Sequence, residues 1–152
     1  MHYDIELLRK LDRVHPYPAK FPIDLAINYI DKYTKEGDRV FDPFVGSGTT
    51  LLAARVLKRC GFGTDINHIA ILISVFKTLN LTLKDLAELK VFIDDFDSNS
   101  SRYIDETVRY NYPSIEHWFC DNAIKVLSAI KNKISKIKTD SQKVFCNLVF
   151  SS

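Results

Sequence analysis

The chain has 152 residues, of which 46% are hydrophobic and 26% charged, and its formal net charge is +2. That length is one ordinary domain, and that balance excludes a disordered chain. A charge so near zero says nothing about nucleic acid by itself; any basic surface has to be local.

The opening "MHYDIELLRK" lacks an apolar signal-peptide core, and residues 1–14 read as a short helical arm. "HPYPAKFP" follows, with three prolines in eight residues that force an extended path. His15 reads as a structural residue fixing that path. After Pro22, Ile23, Ala26, Ile27 and Ile30 have helical spacing, and Pro22 suits a first turn. "KEGD" is a turn and "RVFDPF" a short apolar strand that ends at "GSG".

"TTLLAARVLKR" predicts a helix capped by Thr49 or Thr50 and stopped by Gly61. "GFGTD" is a second strand with Asp65 at its carboxyl end. "NHIAILISVFKTL" is a mostly apolar helix, expected to be largely buried. Its longest apolar run is too short to span a bilayer, so a cytoplasmic protein without a membrane partner is expected. Strand, glycine loop, helix, strand, helix is the first half of a doubly wound α/β domain.

The remainder reads as helical. "LTLKDLAELKVFIDDF" is followed by the polar break "DSNSSR". From Trp118 to Lys138 one amphipathic helix is predicted, packed through Phe119, Ala123, Val126, Leu127, Ile130, Ile134 and Ile137. Its other face carries Lys125, Lys131, Lys133, Lys136 and Lys138, either a solvated face or one that meets phosphates. "SQKVFCNLVFSS" is again helix-like. The expected division is an α/β half with an N-terminal arm over 1–80 and a helical region over 81–152 that begins a further or connecting segment. Cys60, Cys120 and Cys146 form no C-x-x-C. Neither a metal site nor a disulfide framework is expected, and the thiols read as reduced and mostly packed.

"FDPFVGSGTT" carries the chemistry. A triphosphate-binding loop needs a lysine that this one lacks. A dinucleotide loop needs a third glycine where Leu51 stands, and the Asp42 carboxylate would repel pyrophosphate. S-adenosylmethionine suits both features, having no phosphate, two cationic centres and one carboxylate. Asp42 can face its ammonium, and the loop amides with the following helix N-terminus can meet its carboxylate. Gly46 and Gly48 allow close backbone approach. Asp65 can accept from ribose hydroxyls.

With those residues in view, "FDPFVGSGTTLLAA" followed by "GTDIN" closely resembles the cofactor motif of the S-adenosylmethionine-dependent DNA amino-methyltransferases, which methylate adenine N6 or cytosine N4. "HPYPAKFP" resembles the segment that lines the cofactor's methionine end in one branch of that family. The resemblance runs from about His15 to Thr78 and returns weakly around Trp118 and Phe119. It implies a partial Rossmann-like methyltransferase fold with a helical C-terminal region. It places Asp42, Phe44, Gly46, Gly48 and Thr49 in the cofactor loop, Asp65 on the ribose, and Ile66 and Asn67 near the adenine edge. Lys20 and Phe21 fall in the upstream cofactor segment. His68 departs from the family's usual proline. DNA is the implied partner, in a restriction-modification setting.

One departure concerns catalysis. The family activates the poorly nucleophilic amino group with [D/N/S]-P-P-[Y/F/W], and these 152 residues contain no Pro-Pro pair. "NYPS" at 111–114 is a turn rather than a substitute. The expectation is a cofactor-binding portion, truncated or split, with no catalytic residue of its own and a second chain carrying the motif. The competing readings are an RNA guanine-N2-type methyltransferase fragment and a non-catalytic binding module of the same fold.

Overall fold

The structure, a computed structural model, describes residues 4–18, 20–99, 104 and 113–151, with the backbone alone over 96–99. The chain divides into two compact units, Met1–Leu79 with Ser151–Ser152, and Asn80–Phe150.

In the first unit α1 (Ile5–Asp12) opens on Asp4, whose carboxylate accepts the Glu6 and Leu7 amides, both at 3.0 Å. Pro22 is the N-cap of α2 (Ile23–Tyr33), with no side-chain cap bond. β1 (Arg39–Asp42) and β2 (Cys60–Gly63) pair in parallel, Arg39 opposite Cys60 through Asp42 opposite Gly63. The crossover between them is α3 (Thr49–Val56), and α4 (His68–Thr78) follows β2. This is the α/β arrangement expected from the sequence, built on a two-stranded sheet.

The core of this unit is Leu8 of α1, Ile23, Ala26, Ile27 and Ile30 of α2, and Leu52, Ala53, Ala54 and Leu57 from α3 and its end. Ala53 and Ala54 are wholly buried, small enough to let α3 close on its neighbours. The opposite side of the sheet is open among the described residues: Phe41 and Phe62, paired in register, are 63% and 51% exposed.

Two expectations change here. α3 stops at Val56, well before Gly61. The Lys58 amide bonds to the Arg55 carbonyl and the Arg59 amide to the Ala54 carbonyl, a Schellman turn with Lys58 at φ 59°. A lysine occupies the left-handed position where glycine is usual, so the signal was hidden. Gly61 instead lies in β2, where a Cβ would stand 3.1 Å from Leu51. α4 is also less buried than its composition suggests: Ala70, Ile73, Ser74 and Lys77 are buried, while Ile69 and Val75 are exposed.

In the second unit α5 (Leu83–Asn99) starts from a capping box. The Thr82 hydroxyl accepts the Asp85 amide at 3.1 Å, and the Asp85 carboxylate accepts the Thr82 amide at 2.8 Å. α6 (Ile115–Trp118), α7 (Asp121–Ser135) and α8 (Asp140–Ser151) complete it. Leu89, Ile134 and Cys146 form its core with Phe92, Ile130, Ile137, Phe145 and Phe150. The single helix predicted from Trp118 is interrupted, because Phe119 is extended and α7 begins at Asp121. α5 runs into "DSNSSR" as far as Asn99, and residues 100–102 lie outside the described residues. Of "NYPS", Pro113 and Ser114 form a turn, and residues 111–112 lie outside the described residues.

The lysine face of α7 is not uniform. Lys133 is buried, donating to the Asp95 carboxylate at 2.7 Å and the Phe92 carbonyl at 2.9 Å, and Lys131 donates to the Asn147 side chain at 2.8 Å. Among the cysteines only Cys146 is packed; Cys60 and Cys120 are exposed.

Candidate functional site

The candidate site lies where both strands end. Asp42 closes β1, and its Oδ1 accepts the Phe44 amide at 3.0 Å, turning the chain at Pro43. Val45 is buried. Its amide donates to the Thr64 carbonyl at 2.9 Å, and the Gly48 amide returns to the Val45 carbonyl at 2.8 Å. Val45 fills the space beside Gly63, where a Cβ would meet it at 2.6 Å. Gly46 and Gly48 have φ of 50° and 79°, a left-handed path that glycine takes without strain. Gly48 is also the N-cap of α3, and no side chain caps that helix.

Asp65, two residues beyond β2, closes the loop from the other side. Its Oδ2 accepts the Gly46 amide at 2.8 Å and its Oδ1 the Asn67 amide at 2.8 Å. Those N–H groups, Asn67 foremost, hold its pKa below the ordinary carboxylate value. A carboxylate offers about four acceptor positions, so some acceptor capacity remains beyond the Gly46, Asn67 and Ile66 amides. The Asn67 side chain accepts the Ile69 amide at 3.0 Å and caps α4.

The structure therefore gathers Asp42, Gly46, Gly48, Asp65 and Asn67 around one loop. Phe44 and Ile66 project from the two strand exits into solvent, 86% and 98% exposed. The "HPYPAKFP" arm reaches the same loop through Tyr17, whose Cε1 would lie 3.4 Å from a Cβ on Gly46. His15 is buried with its ring Nδ1 2.8 Å from the Pro16 carbonyl. Phe21 stands half-exposed in a shallow groove with Leu25, Tyr29 and Thr50.

Thr49 and Lys20 turn elsewhere, to a buried cluster behind the loop. The Thr49 hydroxyl donates to Asp12 Oδ1 at 2.9 Å. Lys77 Nζ donates to the same oxygen at 2.8 Å and lies 3.3 Å from Ser47 Oγ. Lys20 pairs with Asp12 Oδ2 at 3.3 Å and also donates to the Asp12 carbonyl. Burial pushes the Asp12 carboxyl up, but hydrogen bonds and charge from Lys77, with Thr49 and Lys20, bring it below its ordinary value. Burial likewise holds Lys77 below the ordinary lysine value despite Asp12.

Asp12, Tyr17, Ser47 and Lys77 are the members that motif reading missed. Periodicity held a signal for two. Lys77 continues the buried stripe Ala70, Ile73, Ser74, and Asp12 lies one turn beyond buried Leu8.

Among the described residues no helix is long and apolar enough to cross a membrane, and no group of three or more His, Cys, Asp or Glu could hold a metal ion. The profile of a DNA methylase family matches residues 3–76. The chain is 29% identical to the Type II methyltransferase M.MvaI of Kocuria varians, over 91% of its own length and 32% of that protein. It is 47% identical to the orphan methyltransferase M.BamHII of Bacillus amyloliquefaciens over 58 residues, 38% of this chain and 22% of the relative. A solved PvuII DNA methyltransferase, cytosine-N4-specific, aligns at 27% identity and a TM-score of 0.42, over 58% of this chain and 32% of that one. The chain thus spans about a third or less of these relatives. The matched stretch contains the glycine loop, Asp42 and Asp65, and over it the chain is similar to the DNA methylase family and to Type II methyltransferases.

Proposed function

We propose that the first unit is the S-adenosylmethionine-binding portion of a site-specific DNA methyltransferase that modifies adenine N6 or cytosine N4. The observation that carries this is the placement of two carboxylates, Asp42 and Asp65, on either side of a glycine loop that leads into an uncapped helix. The loop fits the ligand's carboxylate, because Gly46 and Gly48 bring bare backbone to it and the first turn of α3 offers N–H groups. Asp42 Oδ2 suits its ammonium. Asp65 retains acceptor positions for the ribose hydroxyls, and Phe44, Ile66 and Asn67 flank the space for adenine. The bound cofactor supplies the electrophilic methyl group.

The chain's own residues hold and orient that donor. Amino-group activation requires a motif that these 152 residues do not contain. We therefore assign methyl transfer to this portion acting together with a polypeptide segment that carries the motif, in the same protein or on a second chain, with DNA as substrate.

Thermal unfolding of the 152-residue chain tests the reading. At S-adenosylmethionine about 100-fold above its dissociation constant, stability rises by ~2.7 kcal/mol, and NAD and ATP give no shift. A shift with NAD or ATP and none with S-adenosylmethionine overturns it.

A further inference from the structure

We infer that Lys77 is a positioning residue for the ligand's anionic end: its buried ammonium gives the glycine loop the positive potential that draws the carboxylate there. This rests on the S-adenosylmethionine reading above and adds a cation that the loop motif does not contain.

The first ground is burial. The Lys77 side chain is wholly enclosed, on a helix whose other buried residues are Ala70, Ile73 and Ser74. Enclosing an ammonium opposes folding, and an apolar side chain would fill that space without the penalty.

The second ground is charge balance. Lys77 and Lys20 bring two positive charges to Asp12, which brings one negative. Thr49 and Ser47 add neutral hydroxyls. The cluster keeps a net positive charge, although one lysine would have neutralised the aspartate. A structural ion pair has no need of that surplus; a site for an anion does.

The third ground is geometry. The ammonium is one hydroxyl from the loop, 3.3 Å from Ser47 Oγ, and Ser47 is itself buried. Gly48 is pressed on α4, where a Cβ would meet Ser74 at 2.7 Å, so loop and lysine are held at fixed separation. Protein rather than water lies between them, and the field reaches the loop weakly screened. It has the same sign as the amides and the α3 N-terminus. Asp42 and Asp65, of opposite sign, stand at the strand ends, where the ligand's cationic and hydroxyl groups are assigned.

The test compares two ligands by calorimetry on the full 152-residue chain. S-adenosylhomocysteine carries the amino-acid carboxylate; 5′-methylthioadenosine shares the adenosine and thioether and lacks it. In Lys77→Met, binding of S-adenosylhomocysteine falls about tenfold, and that of 5′-methylthioadenosine is unchanged. Equal weakening of both, the mark of a merely structural lysine, overturns the inference, as does no change in either. Lys77→Arg, which keeps the charge, retains the wild-type preference. Should Lys77→Met fail to fold, Asp12→Asn decides: it removes the negative charge behind the loop and raises the preference for S-adenosylhomocysteine, and an unchanged or lower preference overturns the inference. Wild-type protein that binds neither ligand marks failure of the parent reading instead.

Discussion

The Asp65 carboxylate accepts the Gly46 amide at 2.8 Å, and so ties the exit of the second strand to the loop that leaves the first. The same carboxylate accepts the Asn67 amide and steadies the start of α4. One side chain thus shapes the loop and, in the proposed role, also accepts from the ribose hydroxyls. In Asp65→Ala both are lost, and S-adenosylmethionine affinity measured by calorimetry falls about tenfold or more, as expected for charge-assisted hydrogen bonds. Asp65→Asn, which keeps one acceptor oxygen, falls between. Unchanged affinity in the alanine variant removes Asp65 from the ribose site.

Gly48 tests how tightly the loop is seated. A Cβ there would lie 2.7 Å from both Cα and Cβ of Ser74, at φ 79°. Gly37 has φ 89° but nothing within 4 Å of its missing Cβ. Gly37→Ala therefore carries only the left-handed backbone penalty, ~1–2 kcal/mol. Gly48→Ala adds an overpacking penalty of ~1–3 kcal/mol. Urea unfolding of the two variants separates backbone strain from steric conflict, and equal losses contradict the close approach of loop and helix.

The loop was legible in the sequence because its determinants are local. Asp42, Gly46, Gly48 and Thr49 fall within eight residues, and alternating strand and helix patterns place Asp65 at the next strand end. The cluster behind the loop was not legible, since Lys77 and Asp12 are 65 residues apart and neither belongs to a motif. A lysine in an apolar helix looks like a surface residue until its partner is known. Thr49 shows the same limit: its motif position suggests ligand contact, while its hydroxyl is used by Asp12. Helix ends were misplaced for a related reason, because Lys58 takes the left-handed turn where glycine was sought, and Phe119 leaves the helical path without a proline or glycine to signal it.

Acid pH should expose the buried cluster. Asp12 has a folded-state pKa below its ordinary 3.8. The unfolded chain therefore takes up its proton first as pH falls. Its contribution is fully present above the unfolded value and is lost as pH drops through the folded one. The urea midpoint of the wild type should decline below about pH 4. Asp65 and Asp85, also lowered, decline in the same direction. Asp12→Asn should be less stable near neutrality and show a shallower acid limb, so the gap between the two proteins narrows as pH falls. A gap constant with pH would remove the ionised Asp12 from the stability of this unit.

In the second unit, Lys133 offers a contrast between a charge that is useful and one that is merely accommodated. Its side chain is 7% exposed, and its ammonium stands 4.6 Å from the Phe92 ring centroid while bonded to Asp95. Asp95 is 43% exposed, so water can hydrate its carboxylate if the lysine is replaced. Phe92, Ile130, Ile134 and Phe145 line the groove beside Lys133, an apolar setting that methionine would fill at similar length. Replacing a buried ion pair by packed apolar groups is commonly neutral or stabilising. Lys133→Met should accordingly leave stability within about 1 kcal/mol of wild type or raise it. Asp95→Ala keeps the buried ammonium and removes this carboxylate, so it should lose ~1–2 kcal/mol, less than a fully buried pair because Asp95 is partly solvated. Thermal unfolding ranks the two. A Lys133→Met protein less stable than Asp95→Ala would show that the lysine is required for its charge as well as its length.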